Sequence, residues 1–156
     1  AVCLTAAAPV RADSWSEGRF PIPVFEGYTS HFGMRRAADG TLRPHNGLDI
    51  AAPFGSPVLC WWHGRVIETI VDDSCGIGVV IASGKYHHIY CHLRRQRLRR
   101  DQWVSAGQVI GQVGLTGRTT GAHLHWGIRH SGRWLDPAEI LRAMIRGRRA
   151  IVPLGP

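Results

Sequence analysis

The stretch Gly121-Ala122-His123-Leu124-His125-Trp126 decides how we interpret this sequence. Side chains along a β-strand alternate between its two faces, so His123 and His125 would share one face while Leu124 points into the opposite layer. Two imidazoles on one surface can hold a metal ion or handle protons. The pair alone is equally compatible with two ordinary surface histidines, so the rest of the chain has to decide between these interpretations.

The chain around this stretch is typical of short strands joined by tight turns. Its 156 residues include 19 glycines, which recur at short intervals between pieces rich in valine and isoleucine. We therefore predict a mainly β structure. One helix is expected from Pro137, with Asp136 as its N-cap, through about Arg146.

Two hairpins are predicted from apolar pieces separated by glycine-containing turns. Residues 58–71 would form the first, with its turn at Gly64. Residues 76–82 and 86–93 would form the strands of the second. On the returning strand of the second hairpin, the alternation of side chains places three residues on one face: His88, Tyr90 and His92.

The second hairpin also predicts a disulfide. A three-residue loop would place Cys75 opposite Cys91 or one position away. Cα atoms across an antiparallel pair are about 4.5–5.5 Å apart, within the range of a disulfide. We predict a Cys75–Cys91 bridge formed in an oxidising compartment, against the alternative of two free buried thiols, and we expect Cys60 to be a core residue.

A second pair of potential metal ligands precedes the first hairpin. His45 and Asp49 are four residues apart, so an extended backbone would place both on one face with Gly47 leaving space between them. Pro44 and Pro53 argue against a helix here. The alternative is a histidine at a strand end and an aspartate in a turn.

The composition favours an anionic partner. The formal net charge is +8, and arginine supplies 18 of the 19 cationic side chains, which fits bacterial cell wall or nucleic acid, or a genomic preference for arginine codons. The sequence has no recognition helix or aromatic RNA-binding strand, so we expect no nucleic-acid partner. It has no run of 18 apolar residues, so we expect no transmembrane segment.

The first residues indicate export. Residues 1–12 are small and apolar and end in Val10-Arg11-Ala12, which fits the end of a secretory signal or a disordered arm. Cys3 would belong to that signal or to a lipid-anchoring motif. We expect a protein of the periplasm or cell surface, with a single domain over residues 13–146 and a basic tail over residues 147–156.

Several ordered motifs together resemble the lysostaphin-like, or LytM-type, zinc metallopeptidases, which cut peptidoglycan. The resemblance covers about residues 28–141. It rests on His45-Asn46-Gly47-Leu48-Asp49, Tyr90-Cys91-His92-Leu93, Gly107-Gln108-Val109-Ile110-Gly111, and Thr116-Gly117 leading into His123-Leu124-His125. It implies an all-β barrel-sandwich hybrid in which antiparallel sheets form a groove. A subgroup of this family carries cysteines at positions that match Cys75 and Cys91.

The resemblance also implies the roles of five site residues. One Zn²⁺ per chain would be bound by His45, Asp49 and His125, and His92 and His123 would be the catalytic histidines. A zinc site with three protein ligands leaves one position open for water and lowers the pKa of that water to about 7. Which of the two histidines is the general base is left open.

The implied substrate is a peptide stem or cross-bridge of peptidoglycan, and both glycine bridges and D-alanyl-diaminopimelate links remain possible. His31, Tyr90 and Arg35 are expected to contact substrate or to have structural roles; Arg35 could pair with a substrate carboxylate. Gly127 stands where the family commonly has glutamate. The alternative function is a non-catalytic member that binds the wall or regulates another hydrolase, and a monomer is favoured.

Overall fold

The computed structural model describes residues 17–151, and side chains are described for residues 17–147. Within this range, twelve strands and one helix follow one another along the chain. They are β1 (Gly27–Ser30), β2 (Gly33–Arg36), β3 (Leu42–His45), β4 (Leu48–Ala51), β5 (Pro57–Leu59), β6 (Gly64–Asp72), β7 (Gly76–Ser83), β8 (Tyr86–Arg95), β9 (Trp103–Val104), β10 (Val109–Val113), β11 (His123–His130), β12 (Arg133–Leu135) and α1 (Pro137–Ile151).

Ten of these strands form one antiparallel sheet, whose main path runs in the order β1-β4-β11-β8-β7-β6-β9. Strand β10 pairs with β5 and β8, and β12 pairs with β11. Strands β2 and β3 form a separate hairpin. The predicted all-β fold of antiparallel sheets with a C-terminal helix is confirmed.

The hydrophobic core lies against one face of the large sheet. Leu124, Trp126 and Ile128 alternate along β11 and are fully buried, as are Leu48 and Ile50 of the neighbouring β4. Burial of each such side chain contributes about 1.5–3 kcal/mol to folding. The residues between them point to the opposite face, which is therefore the face on which polar side chains can gather.

The predicted hairpin over residues 58–71 is wrong. Strand β5 pairs with β10, whereas β6 pairs with β7 and β9, so the chain does not turn back at Gly64. Trp61 and Trp62, between the two strands, are buried in the core. The Trp61 backbone N–H donates to the Tyr90 hydroxyl at 2.9 Å. Because the two indoles are buried, the chain passes along the core here and does not form a turn.

The hairpin of β7 and β8 is confirmed, with a different turn. Ser83 pairs with Tyr86, so the loop is the two residues Gly84-Lys85 and not three residues. Gly84 has φ 59°, a conformation that glycine adopts without steric cost.

A bulge interrupts β8 near its C-terminal end. The register with β7 shifts by one residue between Tyr90 and Leu93, and His92 inside the bulge has φ 61°. Tyr90 and Leu93 both belong to the core. The prediction that His92 shares the face of Tyr90 is therefore wrong, because the extra residue turns the His92 side chain out of the core.

The predicted Cys75–Cys91 disulfide is present, with Cα atoms 4.8 Å apart, although Cys75 lies in the turn before β7 and not in the strand. The predicted register was therefore wrong while the predicted pair was right. Cys60 is a free, fully buried core cysteine, as expected.

Helix α1 begins as predicted and ends later. The Asp136 carboxylate accepts a hydrogen bond from the Ala138 backbone N–H at 2.9 Å, which confirms the N-cap. The helix continues through Ile151, past the predicted end at Arg146 and into the predicted basic tail. It packs on the core through apolar residues that include Ile140, Leu141 and Met144.

Two further predictions concern the N-terminal residues and a membrane-spanning segment. The predicted signal remnant over residues 1–12, including Cys3, lies outside the described residues. Among the described residues, no helix combines the length and apolar character that a membrane crossing requires.

Candidate metal centre and active site

Three potential ligands meet where β3, β4 and β11 adjoin. His45 ends β3, and the antiparallel register of β4 and β11 places Asp49 directly opposite His125. Gly47 lies beneath the His125 ring: a Cβ atom there would be 2.6 Å from His125 Cε1 and 2.9 Å from the Trp126 carbonyl oxygen. The spacing of His45 and Asp49 therefore depends on a glycine between them.

The ligand atoms of this trio are close together. Asp49 Oδ1 lies 3.0 Å from His45 Nε2 and 2.8 Å from His125 Nδ1, and the two nitrogens are 3.1 Å apart. His45 and Asp49 are buried, and His125 is half-buried. The atoms all lie within 4.8 Å of one another, so the three residues could hold a metal ion.

The contacts of His45 are compatible with a cation between these atoms. His45 Nδ1 lies 2.7 Å from the His31 carbonyl oxygen, which can only accept, so Nδ1 carries the proton. In the neutral ring, Nε2 then directs a lone pair at the Asp49 carboxylate. Either a proton on Nε2 or a metal ion compensates this contact, and two imidazoles with one carboxylate are a donor set typical of catalytic zinc.

The Asp49 carboxylate stays ionised in this surrounding. Burial raises its pKa, but the hydrogen bonds and charges of His125 and His45 outweigh burial, so the pKa of Asp49 lies well below its ordinary value. Arg35 Nη1 lies 3.3 Å from the second carboxylate oxygen, Oδ2, and 2.8 Å from the Ser30 hydroxyl. Arg35 thus forms an ion pair that orients the carboxylate. The sequence had left open whether Arg35 has such a structural role or contacts substrate.

Two further histidines lie beside the trio. The ring centroids of His92 and His123 are 4.8 Å apart, and His123 Nε2 is 3.7 Å from Asp49 Oδ1. His92 Nδ1 donates to the Thr116 carbonyl and His123 Nδ1 donates to the Gly121 carbonyl, each at 2.8 Å. In a neutral ring of either residue, Nε2 is then the nitrogen that can accept a proton.

The environment of His92 keeps this ring neutral. Burial lowers its pKa, and the neighbouring His123 and His125 lower it further. The hydrogen bond to Thr116 and the charge of Asp49 oppose these effects without reversing them. At neutral pH His92 is consequently a base and not a cation.

A rigid loop over residues 115–121 supports the two histidines. The Thr116 hydroxyl donates to the Leu93 carbonyl at 2.7 Å and accepts from the Ile77 N–H at 2.9 Å. Gly76 and Gly117 approach each other so closely that a Cβ atom on either would collide with the other's backbone. The carbonyl that orients His92 is thereby held in place.

His31 and Tyr90 are the other two residues that were expected to contact substrate or to have structural roles. His31 contributes its backbone carbonyl to His45, while its exposed ring packs against Tyr28 at 5.8 Å between centroids. Tyr90 is fully buried, and its hydroxyl is 2.7 Å from His88 Nδ1. Tyr90 therefore lies in the core and not in the cleft, which corrects the expected substrate contact.

Sequence reasoning missed the groups that orient the imidazoles, because they are backbone carbonyls and have no residue signature. It also missed the arginines Arg36, Arg43 and Arg118 in the cleft lining. At Gly127 a Cβ atom would lie 3.0 Å from both the Asn46 carbonyl oxygen and the Trp134 ring. The indole thus closes the space in which a larger residue would have to fit.

The model of Peptidase family M23 matches residues 43–137. Peptidoglycan DD-endopeptidase ShyA of Vibrio cholerae serotype O1 is 39% identical over 130 residues, which cover 81% of this chain and 30% of that protein. A zinc-containing peptidase from Vibrio cholerae superposes with a TM-score of 0.65 at 34% identity, covering 76% of this chain and 39% of that one. LytU superposes with a TM-score of 0.67 at 31% identity, covering 81% and 92% of the two chains.

Proposed function

The chain belongs to peptidase family M23, and we propose that it is an exported zinc-dependent endopeptidase that hydrolyses peptide bonds of bacterial peptidoglycan. The observation that carries this proposal is the convergence of five side chains on one cleft: His45, Asp49, His125, His92 and His123. The name of the relative ShyA, a peptidoglycan DD-endopeptidase, supports the substrate.

We assign one zinc ion to His45 Nε2, the Asp49 carboxylate and His125 Nδ1. When bound, zinc polarises a water molecule and the scissile carbonyl and lowers the pKa of that water towards about 7. The carbonyl of His31 and the guanidinium of Arg35 fix the orientation of two of these ligands. Such outer contacts sustain both the affinity and the geometry of a metal site.

His92 and His123 are the proton-handling residues of the proposed mechanism. Each presents a free Nε2, and the low pKa of His92 keeps that ring able to accept the proton of the attacking water. The protonated ring then has an N–H that can donate to the developing oxyanion and afterwards to the leaving amine. The two rings lie side by side, so one can act as base while the other orients the substrate.

The same proposal covers location and assembly. The disulfide Cys75–Cys91 is typical of proteins that fold in an oxidising compartment, which supports action in the periplasm or at the cell surface. We propose that the protein acts on peptide stems or cross-bridges as a monomer. Nucleic acid is not part of this proposal.

Digestion of purified peptidoglycan tests the function. We expect new amine ends, identified by mass spectrometry, that disappear with a chelator and return with added zinc. His123→Ala should lower the rate by about 100- to 10,000-fold, the usual contribution of a general acid or base. His130→Ala, a histidine outside the cleft lining, is the matched control. A folded wild type that binds the wall without cutting it would instead support the non-catalytic alternative.

A further inference from the structure

The walls of the candidate active site are strongly cationic. The cleft has a volume of about 640 Å³, and its lining includes four arginines but, among the described residues, a single carboxylate, that of Asp49. The arginines are Arg35, Arg36, Arg43 and Arg118. A substrate that enters this cleft therefore meets positive charge on the β2–β3 hairpin side and on the 115–121 loop side.

Most of these arginines already have partners. Arg35 pairs with Asp49, and Arg43 pairs with Asp39 at 2.6 Å. Arg36 donates to the Gly40 carbonyl at 2.7 Å. The guanidinium of Arg118 differs from them, because it is exposed and makes no hydrogen bond or ion pair within the described part of the chain.

The backbone of Arg118 is nevertheless held firmly. Its N–H donates to the Ser74 carbonyl at 2.9 Å, in the turn that carries the disulfide. The preceding Gly117 packs against Gly76, and the following Thr119 has its hydroxyl 3.2 Å from His123 Nδ1. The guanidinium thus starts from a fixed point at the rim of the cleft, close to a proposed catalytic histidine, so little backbone entropy has to be lost when it binds a ligand.

We propose that the cleft accepts peptide cross-links that carry a free carboxylate beside the scissile bond, and that Arg118 binds this carboxylate. The proposal rests on the proposed function and selects among its substrates. A guanidinium donates two parallel hydrogen bonds to a carboxylate, which gives both affinity and orientation. A D-alanyl-diaminopimelate link offers such a group, whereas a glycine bridge has no side-chain carboxylate and would leave Arg118 without a partner.

Two synthetic cross-linked dimers test this assignment: one with free carboxylates and one with the same carboxylates amidated. We expect the wild type to prefer the free dimer by about 10-fold in kcat/KM, in line with a hydrogen bond to a charged group. Arg118→Gln should lower kcat/KM for the free dimer about 10-fold and leave the amidated dimer unchanged, and Arg118→Lys should keep part of the preference. Arg133→Gln removes an exposed arginine of β12, outside the cleft lining, and should change neither value.

The outcomes distinguish the role of Arg118 from the peptidase proposal. If the wild type cuts both dimers equally, or if Arg118→Gln lowers both rates equally, the carboxylate assignment is wrong while the peptidase proposal stands. If the wild type cuts neither dimer but digests peptidoglycan joined by glycine bridges, the carboxylate assignment is wrong and the peptidase proposal stands. If it cuts neither the dimers nor any peptidoglycan, the peptidase proposal fails. Calorimetric binding of both dimers to the metal-free protein then still tests Arg118, because equal affinity for the free and amidated forms would overturn its role.

Discussion

The buried His88 is expected to make the folded state lose stability in acid. It is fully buried, with Nε2 2.9 Å from the Ser83 hydroxyl and Nδ1 2.7 Å from the Tyr90 hydroxyl. Because the Ser83 hydroxyl donates to the His63 carbonyl, it accepts from His88 Nε2–H, and the Tyr90 hydroxyl then donates to Nδ1. The neutral ring is thus fully satisfied. Burial, aided by nearby charge on His87 and His63, lowers the pKa of His88 to about 3.

The sign of the effect follows from comparing the folded and unfolded states. In the unfolded chain, His88 takes up a proton below its ordinary pKa of about 6.5, whereas the folded chain resists protonation down to about 3. Between these values the unfolded state binds more protons, so the free energy of unfolding falls as the pH falls. The slope approaches about 1.4 kcal/mol per pH unit below pH 6.5, which amounts to about 2.7 kcal/mol between pH 7.5 and 4.5. Above about pH 7.5 His88 causes almost no pH dependence.

Urea denaturation at pH 7.5, 5.5 and 4.5 measures this slope. His88→Gln should be less stable than the wild type at pH 7.5, because it disturbs the buried hydrogen bonds, but its stability should fall less steeply towards pH 4.5. His130→Gln, a partly exposed histidine on β11, is the matched control and should keep the slope of the wild type. Equal slopes for the wild type and His88→Gln would refute the reasoning.

Three other substitutions test the framework of the site. Gly47→Ala would place a Cβ atom against the His125 ring and should lower zinc affinity by about 10- to 100-fold in chelator competition; unchanged affinity would contradict the close packing. Replacing Cys75 and Cys91 with serine opens a bridge of sequence separation 16. That change should cost about 3 kcal/mol in urea denaturation, and no loss would show that the bridge adds no stability. Tyr90→Phe leaves two buried partners unsatisfied and should cost about 1–3 kcal/mol, whereas a rise in the Michaelis constant at unchanged stability would return Tyr90 to the cleft.

The sequence indicated which potential ligands share a strand face, and the resemblance to a known family implied that His45, Asp49 and His125 would bind one metal ion. Alternation along β11 separates His123 and His125 from the apolar residues between and beyond them, and the spacing of His45 and Asp49 needs only extended chain around a glycine. Antiparallel pairing then brings Asp49 opposite His125. The two periodicities are local and can be applied without coordinates, whereas the pairing of β4 with β11 is seen only in the structure.

The parts that the sequence did not predict depend on the packing of the whole chain. Gly64, at the start of β6, lies between two apolar pieces, which favours a turn locally. Burial of Trp61 and Trp62 outweighs that preference, and Trp61 packs against Trp126 with ring centroids 5.8 Å apart. The carbonyls of Thr116 and Gly121 that orient the rings of His92 and His123 belong to loop backbone, whose path follows from tertiary contacts and not from residue type.

The bulge in β8 allows one strand to contribute both to the core and to the candidate active site. In a regular strand His92 would lie on the side of Tyr90 and point into the core. With φ 61° it instead faces the cleft, in a conformation that costs a non-glycine residue about 1–3 kcal/mol. Its N–H donates to the Cys75 carbonyl at 2.8 Å, and Cys75 is bridged to Cys91, the residue before it. The disulfide therefore stabilises the strained backbone that delivers a proposed catalytic histidine, so it supports the site as well as the fold.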